Sequence, residues 1–419
     1  VEPVNERLWS ALQQVSGYIY PNEIELHWGL LIVIYPYITG LVAGAFILAS
    51  LEKVFNVKEV APTYRLSLLT ALAFLIVAPL PLLAHLGHPE RAYEIFFTPN
   101  LRSAMAAFGF VYAWYLMAVL LLEIWFEYRK DLVLWSHEEK GLKRFVHRFI
   151  ALFSTDLSEE ALRFDQKAAK VITIVGIPSA FLLHGYVGFI FGSVKANPWW
   201  SSVLIPIVFL ASAIVSGIAL VLLLYMIITL LRSEKIDMRC LDRLAEFLLY
   251  ALIVDFSLEI LDFIHRLYES EESIKILSRM ISSKLFISLI VMQVLLGTLL
   301  PAVALAAFRF SRLPEELRRL AYFISAIMIE IGIFSTRWNV VIGGQLFSKS
   351  LRGLTVYKIE LMGSEGLFMS MILLALPFLI LYGLLKILPP WRASRQAGSL
   401  ALPAERELSS GRGRYGPTP

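Results

Sequence analysis

Two groups of ionisable residues lie in or against stretches of sequence that are otherwise apolar. The first contains Ala84-His85-Leu86-Gly87-His88-Pro89-Glu90-Arg91, His184-Gly185-Tyr186 and His27-Trp28 followed by Tyr35 and Tyr37, with Arg102 and Ser103 close behind. Histidine titrates near neutrality, so it can both donate a hydrogen bond and relay a proton. Histidine and tyrosine together suit a quinone head group, whose two carbonyls need donors and whose reduction to the quinol takes up two protons. The competing reading of the aromatics is simple anchoring at a membrane interface.

The second group is a ladder of carboxylates. Asp255, Glu259, Asp262 and His265-Arg266 follow one another at spacings of four, three and three, which places the carboxylates on one helical stripe. Glu330 and Arg337 fall in the second apolar region after it, and Glu360 and Glu365 lie at the start of the last one. Such a ladder could carry protons, with Asp255, Glu259, Asp262, His265 and Glu330 as its members and Glu123 as the start of a second branch. The alternative is an ion-pair network, for example Arg337 with Glu360, that fixes helix packing. Bis-histidine haem would need two facing histidines at matched depth, and beyond His184 with His85 or His265 no second pair is evident. We therefore expect no haem or metal in this chain.

Other chemistries are excluded by type. A single cysteine, Cys240, leaves no disulfide framework, thiolate-held cluster or cysteine zinc site. The sequence contains no glycine-rich phosphate loop and no nucleophile elbow. The balance of 38 Lys and Arg against 34 Asp and Glu does not suit a nucleic-acid binder.

The elements that must position these residues are membrane helices. Of 419 residues, 58% are hydrophobic and only 17% charged, and the mean hydropathy is +0.68. A soluble chain carries roughly 25% charge, and runs of about 20 apolar residues span a bilayer. The reading is an all-α polytopic membrane protein with nine spans, near 29–51, 66–88, 103–126, 169–192, 203–231, 244–266, 284–308, 319–340 and 365–388. The loops after spans 1, 3, 5 and 7 and the C-terminal tail hold 24 of the 38 Lys and Arg, against 12 on the opposite face. That bias puts the N-terminus outside and the C-terminus in the cytoplasm of a plasma membrane. No cleavable signal peptide is visible, because the first 28 residues carry Glu2, Glu6, Glu23 and Glu25.

Within the cytoplasmic loop 127–168, a weakly amphipathic stretch from Leu142 to Phe153 is expected either on the inner leaflet or as a solvated connector. The tail 389–419, rich in Gly, Ser, Arg and Pro, reads as disordered. Gly40-x-x-x-Gly44 in span 1 and Ser212-x-x-x-Ser216-Gly217 in span 5 lie four spans apart. Small residues at this spacing let helix backbones approach closely. We expect two four-helix bundles, 29–192 and 203–340, preceded by the segment 1–28 and followed by a ninth helix.

Several longer stretches carry a family resemblance. They are Tyr37-Ile-Thr-Gly40-Leu-Val-Ala-Gly44-Ala45, His85-Leu-Gly-His-Pro-Glu-Arg91 with Ser103, and Trp200-Ser-Ser-Val-Leu-Ile-Pro206-Ile-Val-Phe209-Leu-Ala-Ser212-Ala-Ile-Val-Ser-Gly217. Arg337-Trp-Asn339-Val-Val-Ile-Gly-Gly-Gln345 and Glu360-Leu-Met-Gly-Ser-Glu365-Gly complete them. In order and spacing, from about residue 27 to 390, they resemble the NrfD/polysulfide-reductase membrane subunits, within the longer group that includes hydrogenase-2 and alternative complex III subunits. The resemblance implies a quinone (menaquinone-type or other) as substrate at the outer end of the first bundle. It implies two partners on the outer side, a four-cluster ferredoxin-like iron–sulfur subunit and a catalytic subunit. Carried over by position, the site comprises His27, Tyr35, His85 and Tyr186, with His184 and Arg91 nearby. Span 6 and Glu330 fall in the second bundle, where proton translocation has been proposed for relatives. Two departures stand out: the longer group usually has ten helices, and His85 takes a place that is a carboxylate in some relatives. The rival to this reading is a secondary transporter with ionisable residues between repeats and broken helices near the bilayer centre.

Overall fold

The computed structural model describes residues 12–391 apart from 14, 25, 101, 103–105, 270–272 and 312. Ser103 and the tail 392–419 lie outside the described residues. Among the described residues, nine long helical segments occupy the positions read from the sequence: α1 (Leu30–Lys53), α2 (Lys58–His85), α3 (106–138), α5 (Glu159–Gly192), α6 (Ile205–Leu231), α7 (Met238–Glu269), α9 (Phe286–Phe310), α10 (Glu315–Val341) and α11 (Leu367–Ile387). Two shorter helices, α4 (Gly141–Ile150) and α8 (Ile274–Ser283), join α3 to α5 and α7 to α9. Six of the long helices are apolar and long enough to cross a membrane by length and composition: α1, α2, α5, α6, α9 and α11.

Successive long helices run in alternating directions, giving two end faces. One, the N-terminal face, holds the segment before α1 and the connections after α2, α5, α7 and α10. The C-terminal face holds the others.

Local sequence explains the helix boundaries. Asn56, at φ +56°, turns the chain after α1, a conformation that asparagine tolerates better than most residues. Pro79 and Pro81 interrupt α2, because each lacks an N–H and crowds the preceding turn. Ser158 caps α5 by accepting from the Ala161 N–H at 3.3 Å. Residues 114–121 of α3 and 286–299 of α9 are wound as π-helix, again four spans apart.

The helices continue beyond their apolar runs. The segment 127–168, read as a loop, is largely helical: α3 runs on to Glu138, α4 follows, and α5 starts at Glu159. The apolar run ends at the first charges, but the helix does not, because those charges find partners. Arg65 bridges Asp131 at 2.6 Å and Arg129 bridges Asp165 at 2.6 Å. In α4, Leu142, Phe145 and Phe149 are exposed together, while the buried His147 pairs with Glu139 (2.7 Å) and reaches the Ile387 carbonyl (2.9 Å).

α1 and α6 form the centre. They pack on each other along most of their length, and α1 is buried nearly all round. Their small residues meet: a Cβ on Gly44 would collide with the Ala213 carbonyl, and one on Gly217 would collide with the Gly44 backbone. The two small-residue motifs are thus opposite sides of one seam. A similar approach joins α9 to α10 at Gly297 and Gly332.

The N-terminal face is capped by loops. β1 (Ser16–Gly17) pairs antiparallel with β2 (Gly353–Leu354). Gln345 clamps Trp28 through its N–H (3.1 Å) and carbonyl (2.9 Å). Trp28 stacks on Trp200 at 5.4 Å. Trp199 and Trp200 donate to the Asn339 and Val340 carbonyls at 2.8 and 2.6 Å, closing the end of α10.

Candidate functional site

The end of α2 presents His85, half-buried, toward the start of α11. Its Nδ1 lies 3.0 Å from Glu365 Oε1. Gly29 stands beside this pair, because a Cβ built there would lie 3.8 Å from Glu365 Oε2 and 3.1 Å from the Tyr357 hydroxyl. Tyr357 Oη accepts from the Leu30 N–H at 3.0 Å, satisfying one of the free donors at the start of α1. His27 is exposed just ahead of that helix. Tyr35, buried, lies five residues into α1, roughly 8 Å deeper, within electrostatic reach of Tyr186 on α5.

Two residues expected with this group stand apart from it. Arg91 is exposed and forks onto Glu94 at 2.9 and 3.0 Å. His184 is fully buried at the seam of α1, α5, α6 and α10. Its Nδ1 is 3.3 Å from Thr39 Oγ1, its Nε2 is 3.3 Å from Arg337 Nη2, and its ring stacks on Phe209. Gly40 makes this possible, since a Cβ there would already sit 3.2 Å from the imidazole.

Arg337 is the hub of a second, interior cluster. It is fully buried, donates to Ser212 Oγ at 2.7 Å and lies 4.2 Å over the Phe209 ring. The Arg337–Glu360 pair offered as an example of an ion-pair network does not form. Arg337 faces the α5–α6 junction, whereas Glu360 is exposed in the loop before α11. Asp255 and Glu259 on α7 lie within its electrostatic reach but beyond ion-pair distance. Tyr37, also close to Arg337, donates to Glu330 Oε2 at 2.7 Å.

The stripe on α7 is real as a surface. Asp255 and Asp262 are buried and Glu259 is partly buried. Glu259 accepts from Thr336 at 3.4 Å, beside Gln293. Asp262 accepts from Ser202 and from Arg266. His265 turns away from the stripe, half exposed, and meets Glu269 at 3.3 Å. Glu123 belongs to neither cluster. It is buried among α2, α3 and α5, accepting from Thr173 at 2.8 Å and Tyr64 at 3.3 Å.

Sequence reading did not single out Gln293, Tyr357, Gln345 or Ser202. Gln293 carried a usable signal, as an amide alone in an apolar span. The others are ordinary loop residues until the fold brings them in.

This architecture defines a class: an all-helical, multi-pass membrane protein with titratable residues gathered at one end face and at the central helix junction. The chain belongs to the NrfD (polysulphide reductase) family, whose profile matches residues 21–349. It is 32% identical to a selenate reductase subunit of Mesobacillus selenatarsenatis over 325 residues, 75% of this chain and 73% of that protein. It is 32% identical to a putative dimethyl sulfoxide reductase membrane subunit of Halobacterium salinarum over 46% of this chain and 42% of that one. With the protein NrfD of Escherichia coli the identity is 29% over 51% and 63%.

Proposed function

We propose that this chain is the quinone-reactive membrane subunit of a respiratory oxidoreductase complex. In this reading it exchanges electrons between the membrane quinone pool and an iron–sulfur subunit docked on the N-terminal face, outside the plasma membrane. The relatives named as subunits of selenate and dimethyl sulfoxide reductases support a reductase complex with a separate catalytic subunit. The observation that carries the quinone site is the His85–Glu365 pair at the mouth of α1, α2 and α11, above Tyr35 and Tyr186.

The chemistry is balanced at that place. A quinone takes two electrons from the partner and two protons to become the quinol, and the reverse step returns them. His85 donates to a ring oxygen and is reprotonated through Glu365, which is 41% exposed in its side chain and so in contact with the aqueous face. The carboxylate fixes the orientation of the His85 ring, leaving its other nitrogen to face the quinone oxygen. Asp255, Glu259 and Asp262, with Arg337 and the Tyr37–Glu330 pair, are the interior polar groups that a coupled proton route would use.

The transporter reading expects paired helix breaks at mid-membrane. The helices carrying Pro178 and Pro377 run unbroken as α5 and α11.

Quinone affinity of the purified complex tests the site, read from quenching of a fluorescent quinone-site inhibitor. His85→Ala should weaken binding by about tenfold, the worth of one lost charge-assisted hydrogen bond. His184→Ala, acting at the buried junction, should change it far less. Unchanged affinity in His85→Ala would remove the proposed site.

A further inference from the structure

A cleft of about 220 Å³ lies between α6, α7, α9 and α10, in the half of these helices nearer the N-terminal face. It exists because α7 diverges from its neighbours. The second half of α9, Leu300–Phe310, packs along α7, but the first half scarcely touches it, and α7 meets α10 only lightly. The rims of the resulting gap are Ile260 on α7 and Ile290 on α9, both exposed. Neither rim carries a charge, so the mouth opens sideways toward hydrocarbon rather than toward either aqueous face.

The interior has two characters. Its walls are apolar, with Phe209, Phe256 and Phe263 among them. Its floor is polar: Gln293, buried, accepts from Asn339 Nδ2 at 2.7 Å, and Glu259 lies between Gln293 and Thr336. The Asp262–Arg266 pair closes the end nearer the aqueous face. Polar groups at such depth are costly and mark functional positions in membrane helices. The volume is below the roughly 300–1,000 Å³ of a drug-sized pocket, which suits one flat ring with its tail left outside.

These features choose among membrane-soluble occupants. A phospholipid phosphate would find the cation of the lining, Arg266, already held by Asp262. An acyl chain would fill the walls but offer nothing to the floor. A ring bearing carbonyl or hydroxyl oxygens can exchange hydrogen bonds with Gln293, Thr336 and Glu259 while its isoprenoid tail leaves between Ile260 and Ile290. We infer that this cleft is a second binding site for a lipid-soluble quinone or quinol, separate from His85 and in the other half of the molecule. The inference concerns binding and does not rest on the His85 reading.

Photolabelling of the purified complex in nanodiscs with an azido-naphthoquinone carrying a short isoprenoid tail tests it, with the label mapped by peptide mass spectrometry. The cleft predicts label on residues 256–294. Ile290→Trp blocks the mouth and should lower that label about tenfold without lowering label near residues 27–35 and 85. Val294→Phe serves the same purpose from inside the cleft should the first variant fail to assemble. No label on 256–294, label undiminished by both substitutions, or a retained phospholipid that excess quinone does not displace would each overturn the inference. Loss of label around His85 alone would instead count against the proposed function and leave the cleft standing.

Discussion

At the residue scale, Arg337 decides how the interior holds together. It is a fully buried guanidinium whose Nη2 meets both Ser212 and His184. Removing it strips two buried polar side chains of a shared donor, at a cost of about 1–3 kcal/mol each. Arg337→Met should therefore lower the thermal stability of the purified protein sharply, whereas Ser212→Ala, which leaves the charges in place, should cost about 1 kcal/mol. Thermal unfolding in detergent separates the two. The residue types were legible in the sequence: His85, His184, Glu330 and the α7 carboxylates all stand out because charge at membrane depth is expensive. Their partners were not. His85 meets Glu365 across 280 residues and Arg337 meets His184 across 153, and no local periodicity encodes a contact at such separation. Glu360 was the natural guess for Arg337 because it is near in sequence, but burial at a helix junction outweighs that proximity.

At the element scale, backbone contact sets the packing. The spacing of Gly40, Gly44, Ser212, Ser216 and Gly217 announced close approach, yet not that the two motifs would approach each other. Gly44→Leu should disrupt the α1–α6 seam by at least the ~1–3 kcal/mol of an overpacked core. Gly383→Leu, where a side chain meets open space, should be nearly neutral. Comparing detergent-solubilised yields and unfolding temperatures checks the contrast. The loops show the same logic with pH. Burial pushes the pKa of Glu23 up, but hydrogen bonds from Ser348 and the Lys349 N–H outweigh it and hold the carboxyl below its ordinary range. The folded value is depressed, so the stabilisation is present above the unfolded value and is lost as pH falls through the folded one. Glu23→Gln should flatten the stability decline on the acid side, below about pH 5, as measured by thermal unfolding across pH. The splaying of α7 from α9 left no trace in the hydropathy pattern, because both helices have apolar faces whether they touch each other or lipid.

At the scale of the whole molecule, the nine long helices among the described residues follow the hydropathy runs, and family membership agrees with the motifs that suggested it. The centre of the molecule is the α1–α6 pair, with polar residues beside it and at both end faces. Two functions are thereby separable. The proposed function assigns electron exchange to the face with His85 and coupled proton movement to the interior carboxylates. Glu259→Gln removes a titrating group while keeping its hydrogen bonds, so it should lower protons released per quinol in proteoliposomes while leaving uncoupled turnover largely intact. An unchanged proton yield would make the α7 stripe purely structural.

The central claim is that this chain connects the quinone pool to its partner complex through His85. The direct test is quinone-linked turnover of the reconstituted complex against turnover with a soluble viologen donor that bypasses the membrane-embedded chain. In His85→Ala, quinone-linked turnover should fall about 100-fold, the scale of a lost proton-transfer group, with viologen-linked turnover unchanged. Equal quinone-linked rates in variant and wild type would contradict the account.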